Sequence, residues 1–93
     1  MIRAIIIDDN KEARDAIRAD IEQYCIQVEI IAEADSVVSA AKAIQKNEPG
    51  LVFLDIDLGD GSGFDLLEIV RDKKFNLIFT TASDAHAVRA FKY

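Results

Sequence analysis

Hydrophobic residues along this chain follow two periods in turn. Two unbroken apolar runs, Ile5-Ile6-Ile7 and Leu51-Val52-Phe53-Leu54, stop at carboxylates, the first at Asp8-Asp9 and the second at Asp55. A short unbroken run reads as a strand buried on both faces, and in open α/β folds the carboxyl ends of such strands form the rim where sites are built. Between the runs, apolar residues recur at helical spacing. Residues 3–8 are read as a first strand, and Asn10 as the N-cap of a helix to about Tyr24, with Ala13, Ala16, Ile17, Ile21 and Tyr24 on one face. Residues 27–34 carry Val28, Ile30, Ile31 and Ala32 and form a second strand. Asp35-Ser36 then opens a helix with the stripe Val37, Ala40, Ala41 and Ile44. Pro49-Gly50 ends that unit and resets the chain for the strand at Leu51. A third helix over roughly 62–72 presents Phe64, Leu67 and Val70, and residues 76–81 form a fourth strand. A fourth helix, opening near Ser83 or Asp84, presents Ala87, Val88 and Phe91 and contains Lys92.

Repeated β-α units with short loops and right-handed crossovers predict an α/β fold, a parallel sheet with helices on both faces. At 93 residues and 51% hydrophobic content there is material for one domain, residues 1–93, and not for two. The net charge of −6 argues against a nucleic-acid clamp within this segment, because phosphate-backbone binding needs a basic footprint. The single cysteine, Cys25, gives no disulfide framework and reads as a small apolar filler near a helix end. With no signal-peptide plan and no apolar stretch long enough to span a bilayer, the expected location is cytoplasmic, with no membrane partner.

The acids are the first candidates for chemistry. If the first and third strands are neighbours, about 4.8 Å apart, then Asp8, Asp9 and Asp55 crowd together. Bare like charges at about 4 Å cost about 4 kcal/mol per pair at an effective dielectric near 20, so a cation is needed. All-oxygen ligation with few protein donors suits Mg2+, commonly held by one or two carboxylates plus a phosphate oxygen. The loop Ile56-Asp57-Leu58-Gly59-Asp60-Gly61-Ser62-Gly63 follows Asp55, and its glycines let main-chain N–H groups approach an anion. Thr80-Thr81-Ala82 brings a hydroxyl and small side chains to the same edge. The acids Glu12, Asp15, Asp20 and Glu22 read as solvated helix faces, and the lone His86 as a surface residue.

These residues together resemble the receiver domain of bacterial two-component response regulators. The carriers are the Asp-Asp pair, the lone Asp ending Phe53-Leu54-Asp55-Ile56-Asp57, the Gly-rich loop and Thr81-Ala82 after the fourth strand. The stretch from Ile78 to Asp84, followed by Ala87-Val88-Arg89-Ala90-Phe91, is most similar to the LytTR-type branch. The resemblance implies a flavodoxin-like doubly wound sheet of order 2-1-3-4. It also implies Asp55 as phosphoryl acceptor and Thr81 as switch hydroxyl. The metal set would be Asp8, Asp9, Asp55 and Asp57, with Asp9 on Mg2+ directly, Asp8 through water and Asp57 through its main-chain carbonyl. The implied partner is a sensor histidine kinase whose phosphohistidine supplies the group. Phosphorylation and dephosphorylation are then self-catalysed, not conventional enzyme turnover, and switch the strand-four and helix-four face to control an output domain. DNA is implied only through a downstream domain, and homodimerisation is left open.

Two departures from the family pattern stand out. The family's strand-five Lys has no counterpart here, and strand five and helix five are missing, so the chain reads as C-terminally incomplete, with Leu77-Ile78-Phe79 as an open edge. Leu58-Gly59 replaces the common Met-Pro, and Asp57 adds an acid beside the acceptor, where it is expected to change the lifetime of phospho-Asp55. Two other readings compete. Asp55-x-Asp57 after an apolar strand is similar to the opening of haloacid-dehalogenase-type phosphatases, although that family's acid pair lies downstream. A receiver-like interaction module that never handles phosphate is the non-enzymatic alternative.

Overall fold

A computed structural model of the chain describes residues 1–80 and the backbone of 89–92. Strand and helix alternate: β1 (Ile2–Ile7), α1 (Lys11–Tyr24), β2 (Val28–Ala34), α2 (Val37–Asn47), β3 (Leu51–Asp55), α3 (Gly63–Ile69), β4 (Asn76–Thr80) and β5 (Arg89–Lys92). The sheet order is β2-β1-β3-β4-β5. Its first four strands are parallel, in the order read from the sequence, and β1 and β3 are central.

Each helix starts where side chains can take over its orphan N–H groups. The Asn10 side chain accepts from the N–H of Glu12 and Ala13, Ser36 forms a capping box with Ser39, and Ser62 forms another with Asp65. Side chains alternate across the sheet, so Ile5, Ile7, Val52, Leu54, Leu77 and Phe79 share one face and pack with Ala40, Ala41 and Ile44 of α2 and Leu66 and Leu67 of α3. Ala4 and Ile6 alternate to the opposite face, where α1 lies against β1 and contributes Ile21. Ile5, Ile6, Ile7, Val52 and Leu54 are all fully buried. Each such side chain contributes about 1.5–3 kcal/mol of transfer free energy, which fixes the two central strands most firmly. Among the described residues no helix is long and apolar enough to cross a membrane.

Five expectations are corrected. The third helix ends at Ile69 and not near residue 72: Val70 is its C-cap, and Lys73 N–H then donates to the Val70 carbonyl at 2.9 Å, turning the polar segment back towards β4. Phe64, placed on the buried stripe, is 57% exposed and makes a tilted ring contact with Phe79, while Leu66 and Leu67 take the inner positions. On α1, Tyr24 and Ala16 are exposed; the seat is narrower, formed by Ile21 with half-buried Ala13 and Ile17. Cys25 is exposed and is the C-cap of α1, its N–H donating to the Ile21 carbonyl, so it fills no apolar space.

The fifth correction concerns the sheet edge. Arg89–Lys92 is a strand antiparallel to β4, pairing Leu77 with Phe91 and Phe79 with Arg89, where the sequence reading has Phe91 and Lys92 in a helix and the outer edge of β4 open. Eight residues separate β4 from β5. An antiparallel return is within reach of such a connection, whereas a parallel crossover needs about a dozen residues or more. Pairing satisfies the outward N–H and C=O groups of β4, a stronger demand than the helical spacing of a short segment. Ser83, Asp84, His86, Ala87 and Val88 lie outside the described residues.

Gly63 opens α3 directly against the end of β3. A Cβ there would stand 2.8 Å from the Asp55 carbonyl oxygen and 3.1 Å from Leu54 Cδ2, contacts that backbone cannot relieve cheaply. Gly63→Ala is expected to destabilise the domain by about 1–3 kcal/mol. Thermal unfolding followed by circular dichroism should show a Tm lower by at least about 5 °C, and a Tm within about one degree of the parent would refute this account.

Candidate functional site

Ile7 of β1 lies opposite Leu54 of β3, so the next residue on each strand, Asp8 and Asp55, leaves the sheet at the same level. Asp9 follows at the start of the β1–α1 connection. Carboxylate oxygens of Asp8, Asp9 and Asp55 all lie within 4.8 Å of one another. Asp8 and Asp55 are 4% and 7% exposed, while Asp9 faces solvent. The cluster is therefore open on one side and dry on the other.

Burial dominates the electrostatics. It raises the Asp8 carboxyl above the usual carboxylate range, against the Asn10 backbone N–H that donates to Asp8 Oδ1 at 2.9 Å, and the neighbouring Asp9 carboxylate raises it further. Asp55 is pushed up to about 6, first by burial and then by the charge of Asp8; the backbone N–H groups of Asp57 and Ile56 donate to its carboxylate and offset part of this. Three crowded carboxylates form an all-oxygen donor set, and a hard dication such as Mg2+ fits it. Among the described residues, Asp8, Asp9 and Asp55 are the clustered side chains that could hold one.

Arg14 was not singled out by sequence reasoning. Its Nη1 donates to the Asp8 carbonyl oxygen at 2.7 Å, and its Nε to Glu33 at 3.0 Å. Arg18 Nε reaches the other Glu33 oxygen at 2.7 Å, so Glu33 of β2 holds both guanidinium groups beside the end of β1. No local signal marks this network, since 19 residues separate Arg14 from Glu33. A depression of about 200 Å³ lined by Arg14, Glu33, Ala34, Asp35 and Ser39 borders it, but includes none of the three clustered acids.

The other expected site residues divide. Asp57 is exposed, and its Oδ1 accepts the Gly59 N–H at 3.3 Å, so its side chain serves its own loop and stands outside the acid cluster. Gly59 adopts φ +79°, and a Cβ there would lie 3.9 Å from Asp9 Oδ2, which places the loop beside the acids. Thr80 is the register partner of Asp55 on β4. Its hydroxyl oxygen is buried and has no hydrogen-bond partner among the described residues. Thr81 lies outside them.

Comparison with known proteins converges on one family. The model of the response regulator receiver domain matches residues 4–93. The sensory transduction protein LytT of Bacillus anthracis is 39% identical over 94 residues, covering 99% of this chain and 38% of that protein. LytT of Enterococcus faecalis is 41% identical over 93 residues, covering 98% and 38%. This chain thus spans less than two-fifths of the length of these relatives. Among solved structures, the MaeR response regulator bound to beryllium trifluoride superposes with a TM-score of 0.80 at 27% identity, over 90% of this chain and 70% of that one. With its sheet order, its rim of acids and these relatives, the chain belongs to the response regulator receiver domain family of two-component signal transduction.

Proposed function

We propose that Asp55 accepts a phosphoryl group in a Mg2+-dependent reaction, with a sensor histidine kinase as donor. The observation that carries this reading is the convergence of Asp8, Asp9 and Asp55 within 4.8 Å, with Asp55 buried and standing at the end of a central strand. When bound, Mg2+ neutralises charge on the transferred group and on the carboxylates. Asp9, exposed at the mouth, and Asp8 beneath it would hold the ion together with Asp55 and the Asp57 carbonyl. An Asp55 carboxylate oxygen attacks phosphorus in line. A new P–O bond forms as the P–N bond to the imidazole breaks, and the imidazole leaves with the electron pair and takes up a proton. The N–H groups of Asp57 and Ile56 keep the acceptor carboxylate oriented. The buried, unpaired Thr80 hydroxyl supports a further group with acceptor oxygens at this edge. Thr81 is the family's switch position; its hydroxyl, drawn to the phosphoryl oxygens, would shift the strand-four face and so control an output domain. The length of the relatives supports such a domain downstream, through which DNA would be contacted. This is self-catalysed acceptor chemistry without conventional turnover.

The decisive experiment incubates the protein with Mg2+ and a small phosphoramidate. The expected product is a metal-dependent, acid-stable, base-labile mass gain of one phosphoryl group on Asp55, absent in Asp55→Asn. Beryllium trifluoride should bind the same residue, since the MaeR neighbour carries it. Unmodified Asp55 after both treatments would favour the interaction module, and turnover of a phosphate ester would favour the phosphatase.

Raised carboxyls also set a pH dependence. The folded form keeps protons on Asp55, and on Asp8, that the unfolded chain releases nearer the ordinary carboxyl value of 3.8. Their contribution to stability is complete below that value and is lost as the pH rises through about 6, where it amounts to roughly 2–3 kcal/mol for Asp55. Asp15, lowered chiefly by its hydrogen bond from Lys11, opposes this only at an exposed pair. With chelator, Tm is expected to fall as the pH rises from about 4.5 to about 7, by roughly 10 °C. Mg2+ should flatten the slope, and Asp55→Asn should raise the metal-free Tm near pH 7. A rising metal-free Tm across that window would contradict the assignment.

Asp57 completes the reading. Exposed beside the acceptor, its carboxylate is suited to holding the water that hydrolyses phospho-Asp55. Asp57→Asn is expected to slow loss of the phosphoryl group by roughly threefold or more. Equal decay rates for variant and parent would remove Asp57 from the hydrolytic step.

A further inference from the structure

The loop between β3 and α3 is built as a closed unit. Asp57 and Ser62 form an isolated antiparallel bridge, Leu58 N–H donates to the Gly61 carbonyl at 3.0 Å, and Gly63 N–H to the Ile56 carbonyl at 2.6 Å. Leu58 is 2% exposed and plugs the base of the loop into the core. At the tip, Asp60 reaches out of its own unit. Its Oδ1 accepts the Val37 N–H at 2.8 Å, and its Oδ2 stands 3.5 Å from the Val38 nitrogen. These are the first two residues of α2, whose N–H groups have no intrahelical partner. The helix's own cap, Ser36, serves Ser39 N–H at 3.0 Å and leaves them free. Asp60 therefore caps α2 from 23 residues away, with its negative charge at the positive end of the helix.

We infer that Asp60 is a positioning residue for the proposed phosphoryl site: by fastening the loop tip to α2 it sets where the loop places Asp57 against Asp55 and Gly59 beside Asp9. This rests on the reading of Asp8, Asp9 and Asp55 as a Mg2+ and phosphoryl site. The fastening acts on both ends of the loop. Leu58 fixes its depth in the core, and Asp60 fixes its tilt across the sheet edge. A loop free at the tip can still fold, but its main-chain groups no longer meet the acids at one set position. The Asp60 carboxylate bonds to the start of α2 and stands outside the acid cluster, so its effect passes through the loop backbone.

The test separates capping of α2 from positioning of the loop. Mg2+ is titrated calorimetrically into the whole chain as parent, Asp60→Ala, Asp60→Asn and Ser36→Ala, and amide hydrogen exchange of Leu58, Gly59 and Asp60 is measured in chelator. Asp60→Ala is expected to weaken Mg2+ binding about tenfold and to speed exchange of the loop amides by a similar factor. Asp60→Asn, which keeps an acceptor oxygen for Val37 N–H, should restore most of both. Ser36→Ala removes the other cap of the same helix, so it should lower Tm but leave Mg2+ binding and loop exchange within twofold of the parent. Parent-like binding and exchange in Asp60→Ala, or the same losses in Ser36→Ala, would overturn the inference. If the parent itself binds no Mg2+, the metal-site reading fails, and the exchange comparison in chelator still decides whether Asp60 holds the loop.

Discussion

The crowding of three carboxylates at the end of two adjacent parallel strands is the constraint on which the rest of this structure depends. It arises because β1 and β3 pair with Ile7 opposite Leu54, so the acids that follow have no room to separate. Left ionised, they repel by a few kcal/mol per pair, a large fraction of what holds a domain of this size together. The chain meets this cost with the isoleucines and leucines just behind the acids. Ile5, Ile6, Ile7, Val52 and Leu54 are fully buried, and they lock the strands whose ends repel. Burial first, and the neighbouring carboxylate charge after it, raise the Asp8 and Asp55 carboxyls, and binding of a cation or protons relieves both.

Around the acids, the polar groups form supports at two distances. Close in, Asn10 N–H and Arg14 hold the two sides of Asp8, one at the carboxylate and one at the carbonyl. Further out, Glu33 ties Arg14 and Arg18 to β2, while Asp60 ties the loop after Asp55 to α2. The outer supports join elements far apart in sequence. The rim is thereby fixed by the whole sheet and by two helix ends, and the strands alone do not determine it.

Much of this was legible before any coordinates. The unbroken runs marked β1 and β3 because only strands buried on both faces need such uniform composition. The stripe Val37, Ala40, Ala41 and Ile44 gave α2 with every member buried. Periodicity failed at element ends and on partly covered surfaces. Tyr24 and Phe64 continue their helical stripes, yet Tyr24 is the last residue of α1 and Phe64 lies in the first turn of α3, and both are exposed. Arg89–Lys92 shows the same failure at the sheet edge, where backbone hydrogen bonding to β4 outweighed the helical reading of Phe91 and Lys92.

The candidate site divides along the same line. Asp8, Asp9 and Asp55 were readable because a charge that ends an apolar run announces itself in one dimension, and the parallel β-α-β plan has few ways to arrange such ends. Their mutual approach within 4.8 Å, the burial that lifts Asp55 and the exposure of Asp9 were decided only by packing, because desolvation depends on atoms brought in from every part of the chain. The roles of Arg14, Glu33 and Asp60 belong wholly to the tertiary structure. Charged residues are common on helix and loop surfaces, and only folding across 19 and 23 residues of separation turns these three into partners of the rim.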